Sequence, residues 1–420
     1  MIRSYSLVAY CALLVACGAV EDGQQVRVTI SPESPTTTDD LVATIQGGSG
    51  LAFRWSVNGG VRQDTTTNRI AASLTTKHEV WKVEAVQGDT AVASAEVTIA
   101  NAPPSLPTVA APTSPIAAAP IQCTLSGTPA DPDGDPVQLT VSWTLNGAPF
   151  TGTTTTVVAN DTIPALASHT GNVFECTVTV SDAETPATAT ATATVAPRLA
   201  YLVQQDVTPQ KLRTIDLDTG MITDVATLDV PVAFGDLAWD RVGQKLYMID
   251  GRGNKGLYTV NTSTGATTLI GTHGLTDAFA LGFDPADANR LYLVTAPGTG
   301  NSLYRVSPVT GAVGLVANLA GNTSRMEGLA FDSKRNLFVG ATTSGTINTI
   351  NPITGALVQV GTTAGMNDFG MTYDPFVDKL WAVDVSGRLI SIDPNQGYAS
   401  TIVAQNIGLH PGIAIVLPPP

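Results

Sequence analysis

The sequence predicts an all-β protein composed of several domains. Only 13% of its 420 residues are charged, and Thr, Ala, Val and Gly are abundant, a composition that suits short strands joined by tight turns. Runs that alternate apolar and polar residues recur along the chain, which is typical of half-buried strands. From residue 200 onward these runs repeat every 43 to 46 residues, and a fixed period of this size indicates stacked structural units. A chain of this length is expected to form several hydrophobic cores.

The first 17 residues have the features of a secretory signal. Arg3 precedes an apolar run at 7–16 that is too short to span a bilayer as a helix. The sequence Leu-Val-Ala-Cys at 14–17 resembles the lipobox of bacterial lipoproteins, and this resemblance implies that Cys17 is lipidated and becomes the new N-terminus. The alternative is an ordinary signal peptide with an incidental cysteine. Residues 18–25 would then be a tether, and the protein would be exported and lipid-anchored at the outer membrane, the cell surface or in the periplasm.

The charge balance narrows the expected partners. The chain has 35 acidic and 21 basic residues, which gives a net charge of −14. An acidic surface of this kind argues against nucleic acid and against electrostatic docking on anionic lipid. The expected contact with the membrane is therefore the lipid anchor.

Residues 26–102 and 103–197 are predicted to form two β-sandwich modules. Each contains several short strand-like runs separated by Gly, Asn and Thr clusters, which is the pattern of an all-β sandwich. The proline-rich stretch 102–107 separates the modules, because proline lacks a donor for a strand ladder. In the second module Cys123, Trp143 and Cys176 each lie in a strand-like run. This order resembles the immunoglobulin-like sandwich, and the absence of its corner tyrosine favours the PKD-like and cadherin-like relatives.

The immunoglobulin-like resemblance implies a disulfide between Cys123 and Cys176 that joins the two sheets against a buried tryptophan. Lipidation would use Cys17 and signal cleavage would remove Cys11, so these two cysteines would remain in an oxidising compartment. In the first module Ala43 and Val83 take the matching positions. The first sandwich is therefore predicted to lack a disulfide.

One acidic turn in the second module is a candidate calcium site. Asp131, Asp133 and Asp135 offer three carboxylates within five residues, and Ca²⁺ prefers several oxygen ligands. Asp182, near the far end of the module, is a further candidate ligand. The alternative is an Asp-Gly turn whose carboxylates are solvated.

Residues 198–420 are predicted to form a five-bladed β-propeller. Each repeat contains four strand-like runs, a Thr-Gly or Gln-Gly turn, and a last run with small residues, as in Leu-Ala-Trp-Asp at 237–240. Four strands per period of about 45 residues is the size of a propeller blade. The region starts at the second strand of a blade, and residues 412–416 match the missing innermost strand. The two ends of the region would thus share the first blade and leave no open sheet edge.

The repeated Leu-Tyr, Thr-Gly and Leu-Ala-Phe-Asp blocks resemble the NHL and SMP-30-like propeller superfamily, which contains both hydrolases and binding proteins. In such a propeller the loops that lead into the innermost strands gather around one mouth of the axial channel. The resemblance implies that acidic and amide side chains there could hold a divalent metal ion. The residues in these positions are Phe234, Asp277, Met326, Glu327, Asn367, Asp368 and His410.

The predicted function is binding or adhesion at the cell envelope, with the propeller as ligand-binding head and the two sandwiches as stalk. The ligand would be a protein, a glycan or a small molecule. One alternative is a metal-dependent hydrolase or lyase of the SMP-30-like kind that uses Asp277, Glu327, Asp368 and His410. A second alternative is a structural envelope protein. No Gly-x-Ser-x-Gly, P-loop or His-Glu-x-x-His motif points to another enzyme class.

Overall fold

A computed structural model of the chain describes residues 25–63, 66–152, 161–284, 291–295, 301–319, 324–363 and 369–417. In these ranges the regular structure is β-strand, apart from the 3-10 helices Ala72–Leu74, Ala165–Ala167 and Pro394–Gln396. The all-β prediction is confirmed. Within the same ranges no helix is long and apolar enough to cross a membrane. The apolar run 7–16 and Cys17 lie outside the described residues.

The first module consists of two facing antiparallel sheets, β1-β2-β5 and β4-β3-β6-β7. The strands are β1 (Arg27–Ser31), β2 (Leu41–Gln46), β3 (Ala52–Val57), β4 (Gly60–Arg62), β5 (Arg69–Ile70), β6 (Val80–Gln87) and β7 (Thr90–Thr98). Alternate residues of these strands point inward, as the sequence pattern predicts, and form one core with contributions from both sheets. Trp55 and Trp81 are fully buried at its centre, with ring centroids 6.2 Å apart in an edge-to-face arrangement.

The second module repeats this plan with the sheets β12-β9-β8 and β11-β10-β13-β14. The strands are β8 (Thr108–Ala110), β9 (Ile121–Ser126), β10 (Gln138–Leu145), β11 (Ala148–Phe150), β12 (Asp161–Ile163), β13 (Val173–Ser181) and β14 (Ala187–Thr194). Cys123 on β9 and Cys176 on β13 form a disulfide between the two sheets, with their Cα atoms 6.2 Å apart. The predicted bond is confirmed. It packs in the same core as Trp143 and Phe174, and a bond that closes a loop of this length stabilises a domain by roughly 3 to 4 kcal/mol in the chain-entropy model.

The repeat region contains five four-stranded antiparallel sheets. Their strands are β15 (Leu199–Gln204), β16 (Lys211–Asp216), β17 (Ile222–Thr227), β18 (Leu237–Asp240), β19 (Lys245–Ile249), β20 (Gly256–Val260), β21 (Thr267–Thr272), β22 (Ala278–Phe283), β23 (Leu291–Thr295), β24 (Ser302–Val306), β25 (Val313–Asn318), β26 (Met326–Asp332), β27 (Leu337–Thr342), β28 (Thr346–Ile350), β29 (Leu357–Thr362), β30 (Phe369–Asp374), β31 (Lys379–Asp384), β32 (Arg388–Asp393), β33 (Ala399–Gln405) and β34 (Ile413–Ile415). Four sheets are formed by consecutive strands. The first sheet has the order β17-β16-β15-β34, so a strand from the far end of the region completes it. The predicted pairing of the C-terminal strand is confirmed.

The turn between the third and fourth strand of each sheet touches the outermost strand of the preceding sheet. In the first sheet Gly220 has a positive φ of 74°, and a methyl group added to it would lie 2.7 Å from the Cβ atom of Ala404 in the fifth sheet. Gly355 of the fourth sheet likewise approaches Ala317 of the third. Glycine is needed at these turns because the backbone conformation and the close approach both exclude a side chain. The same contact joins the remaining neighbours, so the five sheets follow one another in a closed cycle.

Polar contacts fix the start of the repeat region and join the second module to it. Nε of Arg198, which directly precedes β15, lies 3.1 Å from Oδ2 of Asp374 in the fifth sheet, and both side chains are buried. The guanidinium group also stacks over the Trp381 ring at 5.6 Å. Asp218, in the turn after β16, accepts hydrogen bonds from the Thr170 backbone N–H at 2.8 Å and contacts Nδ1 of His169 at 2.9 Å. Arg198 is therefore packed against the fifth sheet, and the Asp218 turn holds the second module to the first sheet.

Candidate functional site

The innermost strands of the five sheets are β34, β18, β22, β26 and β30, and each of them pairs with a neighbour on one edge only in the described residues. Their other edges face a common axis. Alignment of the repeats places Asp236, Ala280, Gly328, Gly370 and Gly412 at equivalent positions along these segments. Four of the five are Ala or Gly, so the space at this level is left to one large side chain.

Asp236 occupies that space. Its side chain is fully buried, and its two oxygens accept hydrogen bonds from the backbone N–H groups of Leu237 at 2.8 Å and Leu281 at 2.9 Å. The N–H of Ile413 is a third donor. Burial raises the pKa of the Asp236 carboxyl well above its usual range, although the three N–H donors oppose this shift. The carboxyl group thus connects the first, second and third sheets at the axis.

Sequence reasoning missed Asp236. The available signal was an Asp at a position where four other repeats have Ala or Gly. A methyl group at Gly370 would lie 2.6 Å from Oδ1 of Asp236, so the small residues and the single carboxylate are complementary. That complementarity becomes visible only when the five segments are brought around one axis.

The amino-end mouth is the narrow opening above Asp236, where the innermost strands begin. It is lined by Phe234, Gly235, Phe279, Glu327, Phe369 and Pro411, and its empty volume is ≈ 180 Å³. Two of the residues predicted for the channel mouth, Phe234 and Glu327, are found there. Asn367 and Asp368 lie outside the described residues, and Asp277 and His410 make other contacts.

The carboxylates predicted as metal ligands at this mouth are paired with arginines. Nε of Arg252 donates to Oδ1 of Asp277 at 2.6 Å, and Nη2 of Arg325 lies 2.7 Å from Oε1 of Glu327. Both guanidinium groups also stack on Phe279, at 4.8 and 5.3 Å from the ring centroid. In the described parts of the chain, the only group of three or more His, Cys, Asp and Glu residues with ligand spacing is the one at Asp131, Asp133 and Asp135.

The prediction that Asp277, Glu327, Asn367, Asp368 and His410 form a metal site at this mouth stays a prediction, because Asn367 and Asp368 lie outside the described residues. Asp277 and Glu327 each have a guanidinium partner, which offsets the charge of the carboxylate. His410 is turned toward the first sheet instead of the axis: it is fully buried, and its Nδ1 lies 3.0 Å from the carbonyl oxygen of Gly408. Burial lowers the pKa of His410 to about 4, so its imidazole is neutral at pH 7.

The carboxyl-end cavity lies at the opposite end of the axis, where the innermost strands finish. Its empty volume is ≈ 540 Å³. One aromatic residue from each of four sheets lines it, and Leu417 lines it from the first sheet; the aromatic residues are Trp239, Phe283, Phe331 and Tyr373. The polar side chains in its lining include Arg241, Ser333 and Thr372. This arrangement of aromatic walls with a few polar atoms is the usual chemistry of a small-molecule pocket.

Hydrogen bonds hold two of the aromatic side chains of this cavity in place. Nε1 of Trp239 donates to the carbonyl oxygen of Leu417 at 2.9 Å, and the Tyr373 hydroxyl donates to Oδ1 of Asp378 at 2.8 Å. Burial is the main cause that raises the pKa of Tyr373, so it stays a neutral donor. The antiparallel strand order places the Asp218 turn at this same end of the sheets. The cavity therefore opens on the side at which the second module attaches.

The acidic turn of the second module is both a hydrogen-bonded turn and an ion-pair site. Oδ1 of Asp131 accepts from the backbone N–H of Asp133 at 2.7 Å, as in the predicted Asp-Gly turn. Nζ of Lys77, in the first module, donates to Oδ2 of Asp135 at 2.5 Å and also donates to Oε1 of Glu184. Candidate ligand atoms of the three aspartates lie within 4.8 Å of one another. A lysine ammonium of the first module thus supplies positive charge at the group predicted to bind calcium, and calcium binding stays a prediction.

Comparison with known proteins gives a limited match. A family described as a repeat of unknown function (DUF6923) matches residues 279–412, less than half of the chain. Among curated proteins, none matches the sequence. A protein of unknown function from Bacteroides thetaiotaomicron is 17% identical, and the alignment covers 92% of this chain and 88% of that one with a TM-score of 0.38.

Two further structures have similar scores. A chain of the nidogen/laminin complex is 12% identical over 67% of this chain and 100% of its own, with a TM-score of 0.38. TolB from Acinetobacter baumannii is 15% identical over 55% of this chain and 66% of its own, with a TM-score of 0.37. These TM-scores are too low for the alignments to bear on the function of this chain.

Proposed function

We propose that the protein is an exported, lipid-anchored binding protein of the cell envelope. In this proposal the five sheets of residues 198–420 are the blades of one five-bladed β-propeller, which is the ligand-binding head. The cyclic contacts between sheets and the pairing of β15 with β34 support this architecture. The modules 26–102 and 103–197 are immunoglobulin-like sandwiches of the PKD-like kind and form the stalk. Their facing sheets, and the Cys-Trp-Cys arrangement in the second, support that assignment.

The carboxyl-end cavity is the observation that carries the binding function. Residues of all five sheets enclose it at the axis, with aromatic and a few polar side chains in its lining, which is the chemistry of small-molecule sites. The aromatic side chains of Trp239, Phe283 and Phe331 in its lining suit a mainly apolar ligand. The disulfide in the second module is consistent with an oxidising compartment outside the cytoplasm.

We expect the full-length protein to bind the apolar dye Nile red saturably, with one molecule per chain. Trp239→Ala should weaken this binding by about tenfold or more, because loss of a stacked aromatic surface at about 1.4 kcal/mol corresponds to a factor of ten. Ser333→Trp, at the exposed rim of the cavity, should block the dye without a change in the core.

Ser263→Trp is the matched control, because Ser263 is exposed in a turn away from the cavity. Fluorescence titration and circular dichroism would be measured for all four proteins. Dye binding that does not saturate, or that both cavity variants leave unchanged, would contradict the proposed site. Among the alternatives, the metal-dependent hydrolase or lyase has no comparable support, since Asp277 and Glu327 are paired with arginines.

The anchor is tested separately with Cys17→Ser. The lipobox at 14–17 predicts that this variant is released from the membrane fraction into the soluble fraction, because a hydroxyl cannot replace the thiol as acyl acceptor. Cys11→Ser is the control and should stay with the membrane. Membrane retention of the Cys17 variant would rule out the lipid anchor, while the binding site could still be correct.

A further inference from the structure

The carboxyl-end cavity is apolar at its inner end. Leu237, Leu281, Leu329 and Met371 line it there, and each of them is at most 1% exposed. Leu237 directly follows Asp236, whose buried side chain fills the axis and accepts the N–H groups of Leu237 and Leu281. The cavity is therefore closed on the side of Asp236, and a ligand enters it from the opposite end.

The rim of the cavity is formed by residues that directly follow the innermost strands. Arg241 follows β18, Ser333 follows β26 and Pro375 follows β30. Ser333 is exposed, whereas Arg241 and Pro375 are partly buried. Among the described residues of the lining, Arg241 is the one that carries a charge. The cavity thus suits a molecule with an apolar part that points inward and a polar group at the rim.

Three carboxylates lie next to this rim in the sequence but do not line the cavity. Asp240, Asp332 and Asp374 directly follow the aromatic residues of their strands. Asp332 pairs with Arg335 at 2.7 Å, and Asp374 pairs with Arg198 at 3.1 Å. Asp240 accepts two backbone N–H groups of the turn that follows it. The charged group in the lining is therefore a cation, although the whole chain has a net charge of −14.

Arg241 can bind a ligand in addition to the contacts that it makes within the protein. A guanidinium group has five N–H donors in one plane, and it pairs with a carboxylate through charge-assisted hydrogen bonds that are stronger than those between neutral groups. The hydroxyl group of Ser333 is a further donor at the same rim. Because Arg241 is partly buried, water screens its charge less than it would at an open surface.

We propose that the carboxyl-end cavity binds an apolar monocarboxylate, whose carboxylate pairs with Arg241 and whose apolar part packs against Trp239, Phe283 and Phe331. This inference rests on the proposed binding function and adds the chemical class of the ligand. A neutral ligand of the same shape gains the apolar contacts but no ion pair. A cationic ligand of that shape is repelled by the guanidinium group. The binding order is therefore carboxylate, then alcohol, then amine.

The test uses full-length protein and three compounds that share a phenylbutyl group: 4-phenylbutyrate, 4-phenylbutanol and 4-phenylbutylamine. Affinities are measured by isothermal titration calorimetry and by displacement of Nile red. The carboxylate should bind about tenfold more tightly than the alcohol, which is the effect of a charge-assisted hydrogen bond at about 1.4 kcal/mol. Arg241→Gln should remove this preference, so that the carboxylate and the alcohol bind within about twofold of each other. Its affinity for Nile red, which is uncharged, should be unchanged.

Arg305→Gln is the matched control, because Arg305 is exposed on β24, does not line the cavity, and loses the same charge. This variant should keep the preference for the carboxylate. Equal affinities of the unaltered protein for carboxylate and alcohol, a preference that persists in Arg241→Gln, or an equal loss in Arg305→Gln would each overturn the inference. If Nile red still binds saturably in those cases, the binding site itself is retained. If neither Nile red nor any of the three compounds binds, both the binding site and its preference are rejected.

Discussion

Asp236→Ala should destabilise the repeat region by roughly 3 kcal/mol or more, because three backbone N–H groups from three sheets would lose their acceptor. Burial of a carboxylate itself costs free energy, so removal of this buried group in Asp236→Ala recovers part of the lost stability. We expect the unsatisfied donors and the void at the axis to dominate, since each buried donor without a partner costs about 1 to 3 kcal/mol. Urea unfolding measured by circular dichroism would give the change.

A double-mutant cycle distinguishes this axial role from a general effect of mutation. Gly370→Ala alone should also destabilise, because its methyl group would meet Cα of Gly412 at 2.5 Å and Oδ1 of Asp236 at 2.6 Å. The double variant keeps the clash with Gly412 but lacks the clash with Asp236, so the combined loss should be smaller than the sum of the two single losses. Asp89→Ala, at an exposed position of the first module, is the control. Additive losses, or an unfolding midpoint of Asp236→Ala equal to the control, would show that the carboxylate does not hold the sheets together.

The stability effect of Asp236 should also depend on pH. Its pKa is raised in the folded state, so the native protein keeps this proton more readily than the unfolded chain does. The stability that comes from the proton is present below the unfolded pKa and is lost as the pH rises through the folded pKa. Asp236→Asn carries no titratable group and should not show this loss.

Arg198→Ala should cost about 3 to 5 kcal/mol, the usual effect of removing one partner of a buried ion pair. Asp374 is 0% exposed, and without Arg198 its carboxylate would be buried with no cation beside it. The double variant Arg198→Met, Asp374→Asn should recover much of this loss, because neither new side chain is charged. Arg27→Ala, on the exposed face of β1, is the control and should change stability little.

The deficit of Arg198→Ala should shrink in acid. Burial already raises the pKa of Asp374 and Arg198 opposes this shift, so loss of the guanidinium should raise the pKa further. A carboxyl group whose pKa is raised in the folded state stabilises the protein while it is protonated. The protein loses this stability as the pH rises through that pKa. Unfolding measured at pH 4 and pH 7 should therefore differ more for the variant than for the unaltered protein. An equal deficit at both values would argue against an ion pair.

Sequence patterns predicted those features that depend on local chemistry or on the repeat itself. The positive φ of Gly220 follows from its Thr-Gly turn, and the strand at Ile413–Ile415 follows from its match to the other innermost strands. The disulfide between Cys123 and Cys176 was implied by the immunoglobulin-like resemblance, and the structure contains this bond.

The site was harder to predict, because it depends on contacts between repeats. Asp277 was predicted as a metal ligand from its place before an innermost strand, but its partner Arg252 comes from a different connection of the neighbouring sheet. The aromatic residues of the carboxyl-end cavity were recognised only as parts of a repeated block. Nothing in a single repeat indicates that Trp239 and Tyr373 line one space, since this depends on the arrangement of all five sheets.

The pairing of β15 with β34 affects how the chain can fold as it is synthesised. The first sheet remains one strand short, with an exposed edge on β15, until the last part of the repeat region has been synthesised. Such an edge invites pairing with other chains. A product that ends before β34 would therefore keep this open edge, and the first sheet closes only when the last segment of the repeat region is present.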